Sequence, residues 1–359
     1  MATSRSLVAL PKAHLHVHLE GTIRPATLVD IAARHGLAAP YSPGETGRYA
    51  FADLASFFVD YQRVRNCLND ADDFRRIAYE LCQDEASQGV RYAEVTFSPA
   101  YHALRLGDWD MPIATILEGF AQGERDFGIT CRLILDHSRR RPYELAEQTL
   151  AVAVRYRDRG VIGLGLGGPE ADYPPEPFAP LFLAALDAGL HSLPHAGEEA
   201  GPASIRGALS ALHAERLGHG VRVLEDDDLV VEVRERRIPL EVCPSINVST
   251  GIFPSLREHP LPKLLDAGLV VTLNADVPAM TASPVAREFE LARSAFGLDD
   301  ATLAQIARSG VQSSYQDTQA KQAIERQIDA WFADAAISPS CTMANCETVH
   351  SITAASTLG

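Results

Sequence analysis

Eight short apolar runs, separated by segments of helical spacing, constrain the fold more than any other feature of this sequence. They lie at 13–17, 91–97, 130–135, 161–166, 190–193, 214–217, 239–242 and 269–273. Intervening stretches such as "DDFRRIAYELCQDEASQG" and "YELAEQTLAVAVRYRDRG" place apolar residues three and four apart and end in Gly, a helix stop. The alternation predicts a (β/α)8 TIM barrel with extra helices after strand 1 and at the C-terminus, with a doubly wound open sheet as the main rival. The length, 359 residues, suits one large barrel, and a 46% hydrophobic content is enough for its core. Residues 25–67 read as an elaboration after strand 1: a helix, the turn-rich "APYSPGETG", then a helical run containing "FFVDY". An insertion there is placed to roof a pocket. The barrel domain is expected over residues 1–337; 338–359 are small and polar and read as a disordered or loosely held tail.

The balance of charge narrows the partners. Acids number 47 against 32 Lys and Arg, a formal net charge of -15. Nucleic-acid binding depends on neutralising phosphates, so this surface argues against it and leaves a small-molecule substrate. No apolar span reaches membrane length, and the N-terminus has no long apolar stretch before charge appears. A cytoplasmic location is the default expectation. The six cysteines form no CxxC pair and are expected to be reduced, several of them buried. Oligomeric state is not legible in the sequence.

Four constellations carry chemistry. In "HLHVHLEG", His14, His16 and His18 share one strand, and histidines two apart face the same way. Two such imidazoles can chelate a divalent metal, although three in a row leave the pair ambiguous. In "LPHAGEE", His195 follows an apolar strand and Glu198 lies three residues on, an acid suited to proton transfer or, more blandly, to a helix start. His219 sits between glycines in "ERLGHG", and Asp276 follows the eighth run. His16, His18, His195 and Asp276 all fall at predicted strand C-termini, where barrel enzymes keep their sites. Three imidazoles and a carboxylate suit Zn²⁺ with an open position for water.

The segments "LPKAHLHVHLEGT", "VRYAEVTFSP", "GLGLGGPE", "HAGE", "RLGHG", "EVCPSINVSTG" and "TLNADVP" together resemble the adenosine deaminase family of the amidohydrolase superfamily. They run in family order over about residues 7 to 335. The resemblance implies a (β/α)8 barrel and one Zn²⁺ held by His16, His18, His195 and Asp276. It implies that Glu198 protonates a ring nitrogen while water attacks the carbon bearing the exocyclic amine, and that His219 and Asp276 orient that water. Gly168 is implied as a backbone contact to the purine, Glu20 as an acid near the sugar, and Glu241 as an acid orienting His219. His14 stands where the family often has a glutamate and is expected to be structural. The remaining histidines, among them His35, His102, His137, His191, His213, His259 and His350, are expected to be structural or on the surface.

One position departs from the pattern. The family usually reads Asp-Asp-Pro where this chain reads "DVP", so Val277 replaces an acid that meets purine N7. Thr281 stands where a bulky aromatic is common. The expected function is zinc-dependent hydrolytic deamination of adenosine or a related aminopurine. The alternatives are a heterocyclic substrate other than adenosine, selected by Val277, and a non-catalytic paralogue that binds metal and ligand.

Overall fold

The computed structural model describes residues 5–40, 51 and 53–333; most of the turn-rich insertion and the 338–359 tail lie outside the described residues. Eight parallel strands form the sheet: β1 Lys12–His18, β2 Val90–Phe97, β3 Thr130–Ser138, β4 Val161–Gly167, β5 His191–Ala196, β6 Leu217–His219, β7 Leu240–Val242 and β8 Val271–Leu273. Their spatial order is their chain order. The last strand returns to the first through a parallel bridge between Val17 and Asp276. There the His18 N–H donates to the Asp276 carbonyl at 2.8 Å, and the Asp276 N–H donates to the His16 carbonyl at 3.0 Å. A sequential order that closes on itself is a (β/α)8 barrel and removes the doubly wound alternative.

Each predicted strand has its counterpart, with one displaced. The run 214–217 meets β6 only at Leu217, because the strand proper ends in Gly218 and His219. The outward residues of the long strands, such as Leu15, Val17, Leu164 and Leu166, are fully buried under the surrounding helices. The elaboration after β1 contains helices α1 Pro25–Arg34 and α2 Leu54–Arg65, followed by α3 Ala71–Ser87. Capping boxes start α2 (Asp53 with Ser56) and α3 (Asp70 with Asp73), satisfying backbone donors that a helix start leaves free. Extra helices Val285–Phe296, Asp300–Ser313 and Thr318–Ala333 end the described chain, the second packing on β8 and β1.

Strand β1 is irregular between His14 and Val17 in its pairing with β2. This separates His14 from the other two histidines. Its Nδ1 lies 2.8 Å from Glu85 Oε2, and its Nε2 accepts from the Ala275 N–H at 3.0 Å. His14 therefore ties β1 to α3 and to the turn after β8, the structural role expected of it. Among the described residues no helix is long and apolar enough to cross a membrane, and Cys67, Cys82, Cys131 and Cys243 are free and buried.

Candidate active site

Strand C-termini β1, β5, β6 and β8 bring four imidazoles and a carboxylate together. The rings of His16 and His18 lie 5.4 Å apart, and that of His16 lies 4.6 Å from His195 and 4.8 Å from His219. His18 Nε2 is 3.2 Å from His195 Nε2. Asp276 Oδ1 is 3.6 Å from His18 Nε2, and Asp276 Oδ2 is 3.9 Å from His16 Nε2 and 3.6 Å from His219 Nε2. His219 and Asp276 hold left-handed backbone conformations, with φ of 62° and 60°. Strain of this kind in non-glycine residues costs about 1–3 kcal/mol and concentrates where function demands it.

The donors suit a divalent cation. His16 Nε2 is buried with no hydrogen-bond partner, although a buried polar atom normally has one. Burial, then the neighbouring imidazoles, hold His18, His195 and His219 well below the ordinary histidine range, so their rings are neutral with free lone pairs. His16 differs. Burial opposes its charged form, but its hydrogen bond to Glu241 and the charge of Asp276 outweigh that and raise its pKa. A proton and a metal ion compete there for one lone pair.

Glu198 faces this cluster, with Oε2 3.5 Å from His219 Nε2. Its side chain is only 14% exposed. Burial, reinforced by Asp276, Glu170 and Glu199, pushes its pKa well above the usual carboxylate range. Asp276 is also raised, by burial. A neutral carboxylic acid beside a ring nitrogen is a proton donor.

Several groups hold these side chains in place. Glu170 accepts from the backbone N–H groups of Gly197 (2.9 Å), Glu198 (2.8 Å) and Glu199 (3.1 Å), fixing the turn that presents Glu198. Asn247 Nδ2 lies 3.3 Å from both Glu198 Oε1 and His219 Nδ1, while its Oδ1 faces His259 Nε2 at 3.3 Å. Sequence reasoning gave Glu170 and Asn247 no role, although both lie inside the quoted segments "GLGLGGPE" and "EVCPSINVSTG". His259, expected to be structural, is buried and supports Asn247.

Two further expected site residues, Glu241 and Glu20, make other contacts in the structure. Glu241 orients His16 rather than His219: its Oε2 is 2.9 Å from His16 Nδ1, and its Oε1 accepts from Arg216 Nε at 2.6 Å. Burial raises the Glu241 pKa, but Arg216 and His16 outweigh it and bring it down to about 2. Arg216, fully buried inside the barrel, also bonds Glu94. Glu20 does not line the pocket. Its Oε1 pairs with His102 Nε2 at 3.0 Å, its Oε2 accepts from Tyr61 Oη at 3.0 Å, and Arg65 lies at 3.5 Å. Tyr61 and Arg65 stand in the pocket wall in its place.

The pocket above the cluster encloses about 700 Å³ of empty space, open solvent at its mouth included. Helix α2 roofs it with Leu54, Phe57, Phe58 and Tyr61. Gly168 lines it with φ of 85°, and a Cβ there would come within 2.7 Å of Ser138 Oγ, so only glycine leaves its backbone open to a ligand. Val277 lines the wall, fully buried in a small apolar cluster with Phe57, Tyr61, Ile246 and Met280. Thr281 does not line the pocket; its hydroxyl donates to the Val277 carbonyl at 3.2 Å.

Comparison with known proteins bears on the family and the fold. The family described as Adenosine deaminase matches residues 11–331. The chain is 38% identical over 331 residues to the aminodeoxyfutalosine deaminase of Streptomyces coelicolor, covering 91% of this chain and 86% of the relative. Among solved structures, it is similar to the adenine deaminase of Arthrobacter aurescens, with a TM-score of 0.86, 32% identity, and 90% and 99% of the two chains covered. It is also similar to an amidohydrolase from Burkhoderia ambifaria with bound Zn, with a TM-score of 0.82, 29% identity, and 91% and 94% covered. The chain belongs to the adenosine deaminase family of the amidohydrolase superfamily and is a hydrolytic deaminase.

Proposed function

We propose that this protein is a zinc-dependent deaminase that replaces the exocyclic amine of an aminopurine with oxygen and releases ammonia. The observation that carries the reading is the buried acid Glu198, set 3.5 Å from His219 at the mouth of a five-residue donor cluster, where burial raises its pKa. His16, His18, His195 and Asp276 would hold a divalent ion, which would supply Lewis-acid activation of the attacking water at neutral pH. Zinc is favoured by the histidine-rich donor set and by the Zn-bound relative. Glu198 donates its proton to the ring nitrogen beside the reacting carbon, which lets the ring give up aromaticity. His219, neutral and steadied by Asn247, accepts and orients the proton of the attacking water together with Asp276. Gly168 presents its backbone to the ring. The relatives' names, aminodeoxyfutalosine and adenine deaminase, support an aminopurine ring. The complete acid, imidazole and donor set supports catalysis over a merely ligand-binding role.

Replacing Glu198 with Gln keeps its size and removes the acid. We expect metal content unchanged and kcat down by about 10²–10⁴-fold; turnover within threefold of wild type would overturn the acid assignment.

A second reading concerns the ring. Val277 presents methyl groups, backed by Phe57 and Ile246, where the resemblance places an acid. An unpaired N7 acceptor against this wall costs about 1–3 kcal/mol, or roughly one to two powers of ten in rate. This favours a ring edge bearing C–H. Comparing adenosine with 7-deazaadenosine tests it: the reading expects the 7-deaza ring to be preferred and Val277→Asp to reverse the order. Equal preference in both proteins would remove Val277 as a selector.

A further inference from the structure

The turn that presents Asp276 is held from outside the donor cluster. Ala275, Asp276 and Val277 form a three-residue turn, closed by the Val277 N–H donating to the Ala275 carbonyl at 2.7 Å. Asp276 sits at its centre with φ of 60°. Such a turn at positive φ is rare and strained, and it persists only where its surroundings over-determine it. On the exit side the backbone does this. The His18 N–H donates to the Asp276 carbonyl at 2.8 Å, and the Met280 N–H to the Val277 carbonyl at 2.9 Å. On the entry side the hold is a side chain: the Ala275 N–H donates to His14 Nε2 at 3.0 Å.

His14 is fully buried, so this bond has no competitor from water. A ring that accepts at Nε2 carries its proton on Nδ1. That proton points to Glu85 Oε2, 2.8 Å away on helix α3. Glu85 is itself buried. The order of contacts is therefore carboxylate, imidazole, peptide N–H, and then the residue whose side chain joins the donor cluster. Glu85 fixes the tautomer, and the tautomer supplies the lone pair that Ala275 needs. Outer groups commonly orient metal ligands through the ligand's own side chain. Here the route runs through the main chain. A glutamate at position 14 would also accept from the Ala275 N–H, but it would set a second carboxylate against Glu85. Histidine and Glu85 thus depend on each other.

We propose that His14, oriented by Glu85, is a positioning residue for the metal centre: it holds the strained turn that aims the Asp276 carboxylate, and so sets how tightly the divalent ion is bound. The inference rests on the metal-dependent reading above and adds two residues that touch neither the ion nor the substrate. It goes beyond tying the elements together, because it gives the pair an effect on the ion that a purely structural tie would not have.

The test reads the ion rather than turnover. The Zn²⁺ dissociation constant is measured by competition with a chromophoric chelator, and the visible spectrum is recorded after loading with Co²⁺. His14→Leu, which fills the space without an acceptor, is expected to weaken Zn²⁺ by about 10–100-fold and to shift the Co²⁺ bands. His14→Gln, whose amide oxygen can take the place of Nε2, should stay within about threefold of wild type with the wild-type spectrum. His14→Glu should weaken Zn²⁺ by at least about 10-fold, and adding Glu85→Gln to it should recover most of the loss, since the two carboxylates no longer oppose each other. Melting of the metal-free proteins shows which variants are folded. A folded His14→Leu with wild-type affinity and spectrum would overturn the proposal, as would a His14→Gln as weak as His14→Leu. Should His14→Leu fail to fold, the Glu pair decides: a double variant that binds no tighter than His14→Glu alone would overturn it. Wild type that binds neither ion would instead overturn the metal-dependent reading, and this inference with it.

Discussion

Asp276 combines several roles. Its backbone closes the barrel against β1, its carboxylate reaches three histidines, and its φ of 60° is one that aspartate tolerates better than most residues. Another buried acid, Glu288, has a separate consequence. Glu288 accepts from the Ser245 N–H at 3.2 Å and from Ser283 Oγ, and burial lifts its pKa from 4.5 to about 7. Between pH 4.5 and 7 the unfolded chain has lost this proton and the folded chain keeps it. Stability must fall as pH rises through that window, by up to ~3 kcal/mol. Glu288→Gln is expected to melt higher than wild type at pH 8 and to lose that advantage near pH 4.5. A difference independent of pH would contradict the account. At this scale the sequence was most informative where a residue's chemistry was unusual for its place, as with His195 and Asp276. It was least informative where meaning came from a partner on another strand. Glu241 reads as a neighbour of His219 until strand register puts it on His16.

Among the elements, α2 matters most for the pocket. Its stacked pair Phe57 and Tyr61, with ring centres 5.5 Å apart, covers the site and packs on Val277. Phe57→Ala is expected to raise KM by at least ~10-fold while changing kcat less than ~3-fold, because the helix shapes the pocket and supplies no proton. An equal fall in kcat and kcat/KM would contradict this. The roof was legible as an insertion with helical spacing, and its capping residues stand in the sequence at the expected interval. Strand β6 was harder. It is three residues long, ends in Gly218-His219, and follows Arg216, a buried charge paired with Glu94 and Glu241. A search for apolar runs stops short of such a strand, since its burial is secured by ion pairs contributed from β2 and β7.

For the whole molecule, the eightfold alternation carried the fold, because local periodicity and global closure agree along nearly the entire chain. Closure itself was not legible. It depends on Asn274, whose side-chain oxygen accepts from the Leu15 and His16 N–H groups at 2.8 and 3.2 Å, and on the Asp276 backbone. The same seam carries His16, His18 and Asp276, so fold closure and the donor cluster share one set of contacts. Loaded with a divalent ion, this cluster is proposed to deaminate an aminopurine through Glu198. The most direct measurement is ammonia release from adenosine, adenine and 7-deazaadenosine by metal-stripped protein, by the same protein reloaded with one equivalent of Zn²⁺, and by reloaded Glu198→Gln. Ammonia is expected only from the reloaded wild type, with zinc retained by the variant. Equal release with and without metal, or from the Glu198→Gln protein, would contradict it.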